Sequence, residues 1–239
     1  SFLLFSLSLS LSLSLSLSLQ AAPAVTYEAR KSSAHSHTLI THTHTLDYFL
    51  THPSKQVMAE STESAIKVFT DLLKFETVSS AGHLNGAYDA CAQYILAHFL
   101  HLGTQTTAMT ALVLPESKPN KPIVCVEWLG SDPSLPCLFW NSHYDVVPIM
   151  PEHWTVPAFE AHRQDGRIYG RGAQDMKSVC AQYMVAIAAL VEEGFVPNRT
   201  FRLSFVPDEE ISGAHGMGIL LASDWFKAHK IAIAFDEGS

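Results

Sequence analysis

This chain predicts an α/β layered domain with a mostly parallel central sheet flanked by helices, and three observations carry that expectation. Short β-rich apolar runs alternate with longer runs of helical period between residues 61 and 235, the pattern left by strands joined through crossover helices. The composition permits the core such a fold needs, since 47% of the 239 residues are hydrophobic and 16% are charged, and the length admits one or two ordinary domains. Finally, His143, Glu209-Glu210 and Glu237 each follow a strand run directly, and in parallel α/β sheets ligands bind beyond the carboxyl ends of the strands.

The elements follow in order. From residue 61 the spacing of Ile66, Phe69, Leu72, Leu73 and Phe75 puts them on one helical face, with Ser61 or Thr62 available as a cap. A second helix is predicted over 87–102, where Tyr88, Cys91, Ile95, Phe99 and Leu102 form a stripe and Gly103 supplies a stop. Residues 106–114, 123–129 and 137–141 read as strands parted by Pro, Gly, Ser and Asn turns, with 167–169 a short fourth. A long apolar helix over 176–193 closes at Gly194, a strand over 200–206 leads to a helix around 217–226, and a last strand covers 231–235.

The chain before Met58 is different in kind. Residues 6–19 alternate Ser and Leu strictly, and Thr41-His42-Thr43-His44-Thr45 follows. A TC repeat translates as Ser-Leu and a CA repeat as His-Thr, so residues 1–57 read as an untranslated leader carried in frame, with no function and with Met58 as the start. A targeting segment is the alternative, because Phe2-Leu3-Leu4-Phe5 is apolar and Ala22-Pro23-Ala24 resembles a cleavage site. Alternating serines dilute the apolar run too far for a membrane span.

Charge and cysteine usage narrow the function classes. With 15 Lys+Arg against 23 Asp+Glu the net charge is −8, and no basic stripe exists for nucleic acid. Cys91, Cys125, Cys137 and Cys180 lie far apart in apolar segments, with no CxxC pair. They read as buried free thiols in a reducing, cytoplasmic setting.

The densest chemical signal is Phe201-Arg-Leu-Ser-Phe-Val-Pro-Asp-Glu-Glu210. Like charges packed at one strand end repel unless a cation or a proton is shared among them. His143, Asp145, Asp175 and Asp236-Glu237 are available to complete such a site, and a His with several carboxylates is a ligand set for zinc. Asp145, two positions beyond His143 on extended chain, can bond the second ring nitrogen of the histidine. Taken singly, His143 fits a hydrogen-bonded core histidine, Asp-Glu-Glu a solvated loop, and Asp175 a partner of the following helix dipole. Their convergence on strand ends favours metal. Ser142 is discounted as a nucleophile because neighbours on a strand face opposite ways, and no GxSxG elbow is present.

Five segments carry a family resemblance: Asn141-Ser-His-Tyr-Asp-Val-Val-Pro148, Glu152-His-Trp154 with Pro157-Ala-Phe-Glu160, Tyr169-Gly-Arg-Gly-Ala-Gln-Asp-Met-Lys177, Phe205-Val-Pro-Asp-Glu-Glu210 and Phe235-Asp-Glu-Gly238. Over roughly residues 61–239, and nowhere before Met58, the chain resembles the M20 metallopeptidase family. The resemblance implies two Zn2+ ions, or cobalt, in a complete site. His143 and Glu237 would hold the first, Asp175 would bridge, and Glu210 would hold the second. Asp145 would orient His143, and Glu209 would serve as general base. The implied reaction is hydrolysis of N-acyl-L-amino acids to a carboxylate and a free amino acid; a dipeptidase, a carboxypeptidase or a catalytically silent fragment are the alternatives. A homodimer is implied for the full-length parent. On this resemblance residues 58–239 read as the N-terminal part of a catalytic domain, before its lid or dimerisation domain and a final histidine ligand.

Overall fold

The computed structural model describes residues 55–237, with side chains from residue 62 onward. The expected leader, with its Ser-Leu and His-Thr tracts, lies outside the described residues apart from 55–57. The chain divides into two units, Ser1–Ser64 and Ala65–Ser239, and the described part of the first is helical throughout.

Helix α1 (Lys55–Leu73) begins before Ser61. Ser61 and Thr62 therefore lie within it instead of capping it, because Lys55-Gln-Val-Met-Ala-Glu is itself a run dominated by good helix formers. Helix α2 (Ala87–Gly103) buries Tyr88, Cys91, Ala92, Ile95, Phe99 and Leu102, the stripe read from its spacing. Strands β1 (Met109–Val113), β2 (Val124–Trp128) and β3 (Cys137–His143) follow. Next come the short strands β4 (His162–Gln164) and β5 (Arg167–Tyr169), helix α3 (Lys177–Glu192) and strand β6 (Phe201–Val206). Helices α4 (Met217–Ala222) and α5 (Asp224–Lys227) precede strand β7 (Ile231–Phe235).

The expected single helix around 217–226 is two. Ser223 interrupts it, accepting a hydrogen bond from the Phe226 N–H at 3.1 Å and so capping α5. A serine hydroxyl serves a helix start better than a helix interior. The strand expected at 167–169 exists but pairs only with β4, outside the main sheet. Asp165 and Gly166 link the two with φ of 51° and 72°, the positive pair that a tight hairpin turn demands.

The central sheet runs β1-β2-β6-β3-β7. It is mixed: β3 is parallel to β6 and to β7, while β1 and β2 join by antiparallel pairing. Strands β3 and β6 are buried along their whole length, including the polar Asn141, Ser142, His143, Arg202 and Ser204, so their polar groups must find partners inside the protein. Helices α2 and α3 cover one face, where the Phe99 ring lies 5.5 Å from Phe205 and Tyr183 lies 5.0 Å from Trp140. Helices α4 and α5 cover the other, with Phe226 edge-on to Phe139 at 5.2 Å and Leu220 packed with Ile123, Cys125 and Val206.

The polar interior has structural duties of its own. Lys177 is fully buried at the start of α3 and donates to the carbonyls of Leu72 at 3.0 Å and Phe75 at 2.7 Å, closing the end of α1. Arg202 on β6 lies opposite Glu127 on β2 at 2.9 Å and stacks 3.6 Å over Trp225. Phe205 is fully buried between these layers, and Phe205→Ala is expected to cost about 3–5 kcal/mol, read as a lowered midpoint in urea unfolding.

Candidate metal centre

Because β6, β3 and β7 run parallel, their carboxyl ends emerge on one edge of the sheet, with His143 opposite Val206 and Trp140 opposite Phe235. The residues that follow are the carboxylates singled out in the sequence. His143 is 1% exposed and its Nε2 lies 3.0 Å from Asp175 Oδ1, 3.6 Å from Glu237 Oε2 and 3.8 Å from Glu209 Oε2. Ligand atoms of His143, Asp175 and Glu237 all fall within 4.8 Å of one another. One imidazole nitrogen and two carboxylates converging on a point fit a divalent ion such as zinc.

Asp175 reaches this point from the loop before α3. The His143 backbone N–H contacts the Met176 sulfur at 3.3 Å, which fastens that loop to β3, and the Asp175–Met176 peptide bond is cis. Helix α3 has no side-chain cap, and the Asp175 carboxylate lies against the histidine ring. Gly172, at φ 80°, admits the close approach, since a Cβ there would lie 2.6 Å from Val146.

Asp145 meets the imidazole with its main chain as well as its carboxylate. His143 Nδ1 lies 3.0 Å from the Asp145 backbone carbonyl and 3.4 Å from its carboxylate. The carboxylate also accepts the backbone N–H groups of Glu209 at 3.0 Å and Glu210 at 3.3 Å. Acceptance of main-chain donors by a fully buried carboxylate fixes the single turn Glu209–Ile211 to the end of β3. Glu210 lies outside the group of three, but its charge is felt there. Burial first, then Asp175, Asp145 and Glu209, raise its carboxyl pKa, with His143 opposing them.

Two other shifts report the same crowding. Burial lowers the His143 pKa, but Asp145, Glu237 and Asp175 outweigh it and push it up to about 9. Burial, Asp175 and Glu209 push the Glu237 carboxyl up to about 7, against the pull of His143. Both groups thus hold protons that a bound cation must displace. Zinc uptake is expected to release protons and to strengthen as pH rises from 6 toward 9. Calorimetric titration in buffers of different ionisation enthalpy checks it, and an observed heat independent of buffer would refute it.

Sequence reasoning missed several supporting residues. Ser204 on β6 donates to Asn141 Oδ1 at 2.7 Å, and Asn141 Nδ2 on β3 donates to both Asp236 oxygens at 3.1 Å. These bonds link the three parallel strands; Asn141 and Asp236 stood in the segments singled out in the sequence without this role, and Ser204 was not singled out for it. Ser142 donates to the His143 carbonyl at 3.1 Å, away from the ring. The Arg171 guanidinium stacks 5.5 Å over Trp154, and the Arg171 backbone N–H donates to the Ala158 carbonyl at 2.8 Å. These contacts hold a loop whose cleft of about 520 Å³ is lined by Ile149, Trp154, Pro157 and Phe159. None of the ion-facing residues lines that cleft.

Residues 139–237 match the description of peptidase family M20/M25/M40. Aminoacylase-1 of Mus musculus is 37% identical over 180 residues, covering 75% of this chain and 42% of its own length. Aminoacylase-1 of Homo sapiens is 43% identical over 124 residues, covering 52% of this chain and 30% of its own. The chain thus spans less than half the length of these relatives. Human carnosine dipeptidase 1 superposes on 77% of this chain and 40% of its own with a TM-score of 0.64 at 18% identity. An M20 family metallo-carboxypeptidase from Sulfolobus solfataricus superposes on 73% of this chain and 37% of its own at 0.60 and 24% identity. At these identities the two structures speak for the fold alone.

Proposed function

Through residues 139–237 the chain belongs to peptidase family M20/M25/M40, and on that premise we propose that it supplies the metal centre of a hydrolase that splits N-acyl-L-amino acids into a carboxylate and a free amino acid. The observation that carries the reading is the convergence of Asp175, Glu237 and Glu209 on His143 Nε2 within 3.0 to 3.8 Å. The likeness to aminoacylase-1 supports the choice of substrate.

His143, Asp175 and Glu237 would hold a divalent ion, which would supply Lewis acidity toward a water and an amide carbonyl. The chain's own groups do the rest. Glu209, with a half-exposed carboxylate at the rim of the centre, accepts a proton from the attacking water and returns it to the leaving amine. Asp145 holds the Glu209–Ile211 turn by its backbone, which keeps that carboxylate near the reacting atoms. His143 receives its orientation from the Asp145 carbonyl at Nδ1, leaving Nε2 for the ion. Glu210, together with Asp175, would hold a second ion in the same proposal. Zinc as the metal, the cytoplasm as the compartment and a homodimer as the assembly belong to the same proposal. Among the described residues Cys91, Cys125, Cys137 and Cys180 are free and buried, and no helix is long and apolar enough to cross a membrane.

The test is release of free methionine from N-acetyl-L-methionine by the zinc-loaded chain, compared with cleavage of an unblocked dipeptide. Preference for the acylated substrate supports the proposal. Preference for the dipeptide would move the activity to the peptidases of the same family, and zinc binding with no release from either would refute hydrolysis by this polypeptide.

A further inference from the structure

Asp208, the residue before the two glutamates, adopts a left-handed backbone with φ 63° and ψ 20°, a conformation uncommon outside glycine that aspartate tolerates better than most. It is 1% exposed. Its carbonyl accepts N–H groups from Ile211 at 3.2 Å and Gly213 at 2.7 Å, so it starts the turn that presents Glu209 and Glu210. Its carboxylate is gripped on three sides. Tyr88 donates its hydroxyl to Oδ1 at 3.0 Å, Lys121 donates its ammonium to Oδ2, and His215, half exposed, lies 3.4 Å from Oδ2 and 3.4 Å from the Lys121 nitrogen.

These contacts close a circuit. Tyr144, between His143 and Asp145, donates its hydroxyl to the Pro122 carbonyl at 2.7 Å, which anchors the residue next to Lys121. Lys121 holds Asp208, and Asp208 opens the turn. The N–H groups of Glu209 and Glu210 return to the Asp145 carboxylate. Tyr88 braces the ring of contacts from inside, edge-on to Tyr144 at 5.3 Å. Glu209 itself has a half-exposed side chain, so the aim of its carboxylate depends on its backbone. The Lys121–Asp208 pair is largely shielded from water, with side chains 11% and 2% exposed, where an ion pair is little screened.

We propose that Lys121 is a positioning residue for the base Glu209, acting through Asp208 to fix the turn Glu209–Ile211 against the strand end that carries His143. The inference rests on the hydrolase reading for its consequence in turnover, and on geometry alone for its consequence in turn order.

The test compares Lys121→Met, Lys121→Arg and the double variant Lys121→Met/Asp208→Asn in the full chain, by amide hydrogen exchange and by steady-state kinetics. Lys121→Met is expected to raise exchange over residues 208–213 about tenfold or more while α3 stays protected. It should lower kcat on the order of tenfold or more, with KM changed by less than about threefold. Lys121→Arg is expected to restore both. The double variant removes the unpaired buried charge, and carries the same exchange test if Lys121→Met does not fold; its turn is expected to stay unprotected. Unchanged exchange at 208–213, an equal rise throughout the chain, or a double variant that regains wild-type protection would each overturn the proposal. A wild-type chain that binds zinc but releases no product would count against the hydrolase reading, and exchange would still decide the role of Lys121.

Discussion

Glu209→Gln is expected to leave metal content unchanged and to cut turnover by about 10²- to 10⁴-fold, the range that removal of a general base produces. The substitution keeps the size and the hydrogen-bonding shape of the side chain but removes its capacity to accept a proton. Glu209 is not one of the three residues that converge within 4.8 Å, and its backbone contact with Asp145 is untouched by the change. Metal analysis by mass spectrometry and kcat on an N-acyl amino acid measure the two halves. If the variant instead lost its metal, the roles of Glu209 and Glu210 would have to be exchanged.

His143→Ala has the largest expected effect on binding. The imidazole is the only nitrogen donor in the group of three and the common neighbour of Asp175, Glu209 and Glu237. Its removal leaves carboxylates that repel each other, and zinc affinity is expected to fall by more than the roughly 10- to 100-fold lost with a supporting group. Competition with a chromophoric chelator reads the change, and circular dichroism checks that the sheet persists. Glu237→Gln is expected to resemble His143→Ala more than Glu210→Gln does, because Glu237 belongs to the convergent group and Glu210 does not. The reverse order would relocate the ion.

Most of the fold was legible because the central strands β2, β3 and β6 are short runs rich in Val, Phe, Trp and Leu set between turn residues. The amphipathic stripe of α2 was legible for a similar reason, since five regularly spaced residues share one buried face. The antiparallel half of the sheet was not, as pairing direction leaves little trace in a short apolar run. Nor was the break at Ser223, where one hydroxyl outweighs a continuous helical pattern. In the site, residue types at strand ends and at a helix start pointed to His143, Asp175, Glu210 and Glu237, of which His143, Asp175 and Glu237 converge and Glu210 stands outside. The route of Asp145 to the main chain of the Glu209–Ile211 turn was not readable, because it depends on which of two acceptors three-dimensional packing offers to the imidazole. Lys121 gave no signal at all. It sits in a loop 87 residues from Asp208, and only the folded chain makes them neighbours.

The hydrogen-bonded chain Ser204–Asn141–Asp236 has a consequence for the order in which the protein is made. Asn141 and Asp236 are 95 residues apart, so β3 leaves the ribosome roughly 5–20 s before β7 does at ordinary synthesis rates. Throughout that interval Asn141 and His143 are present, Asp175 joins them 32 residues after His143, and Asp236 and the carboxylate of Glu237 are still missing. On the proposed ligand set, an ion captured early is expected to lack Glu237, whose contribution comes only when β7 docks. Metal retention in stalled nascent chains of increasing length would therefore record the moment at which β7 joins the sheet.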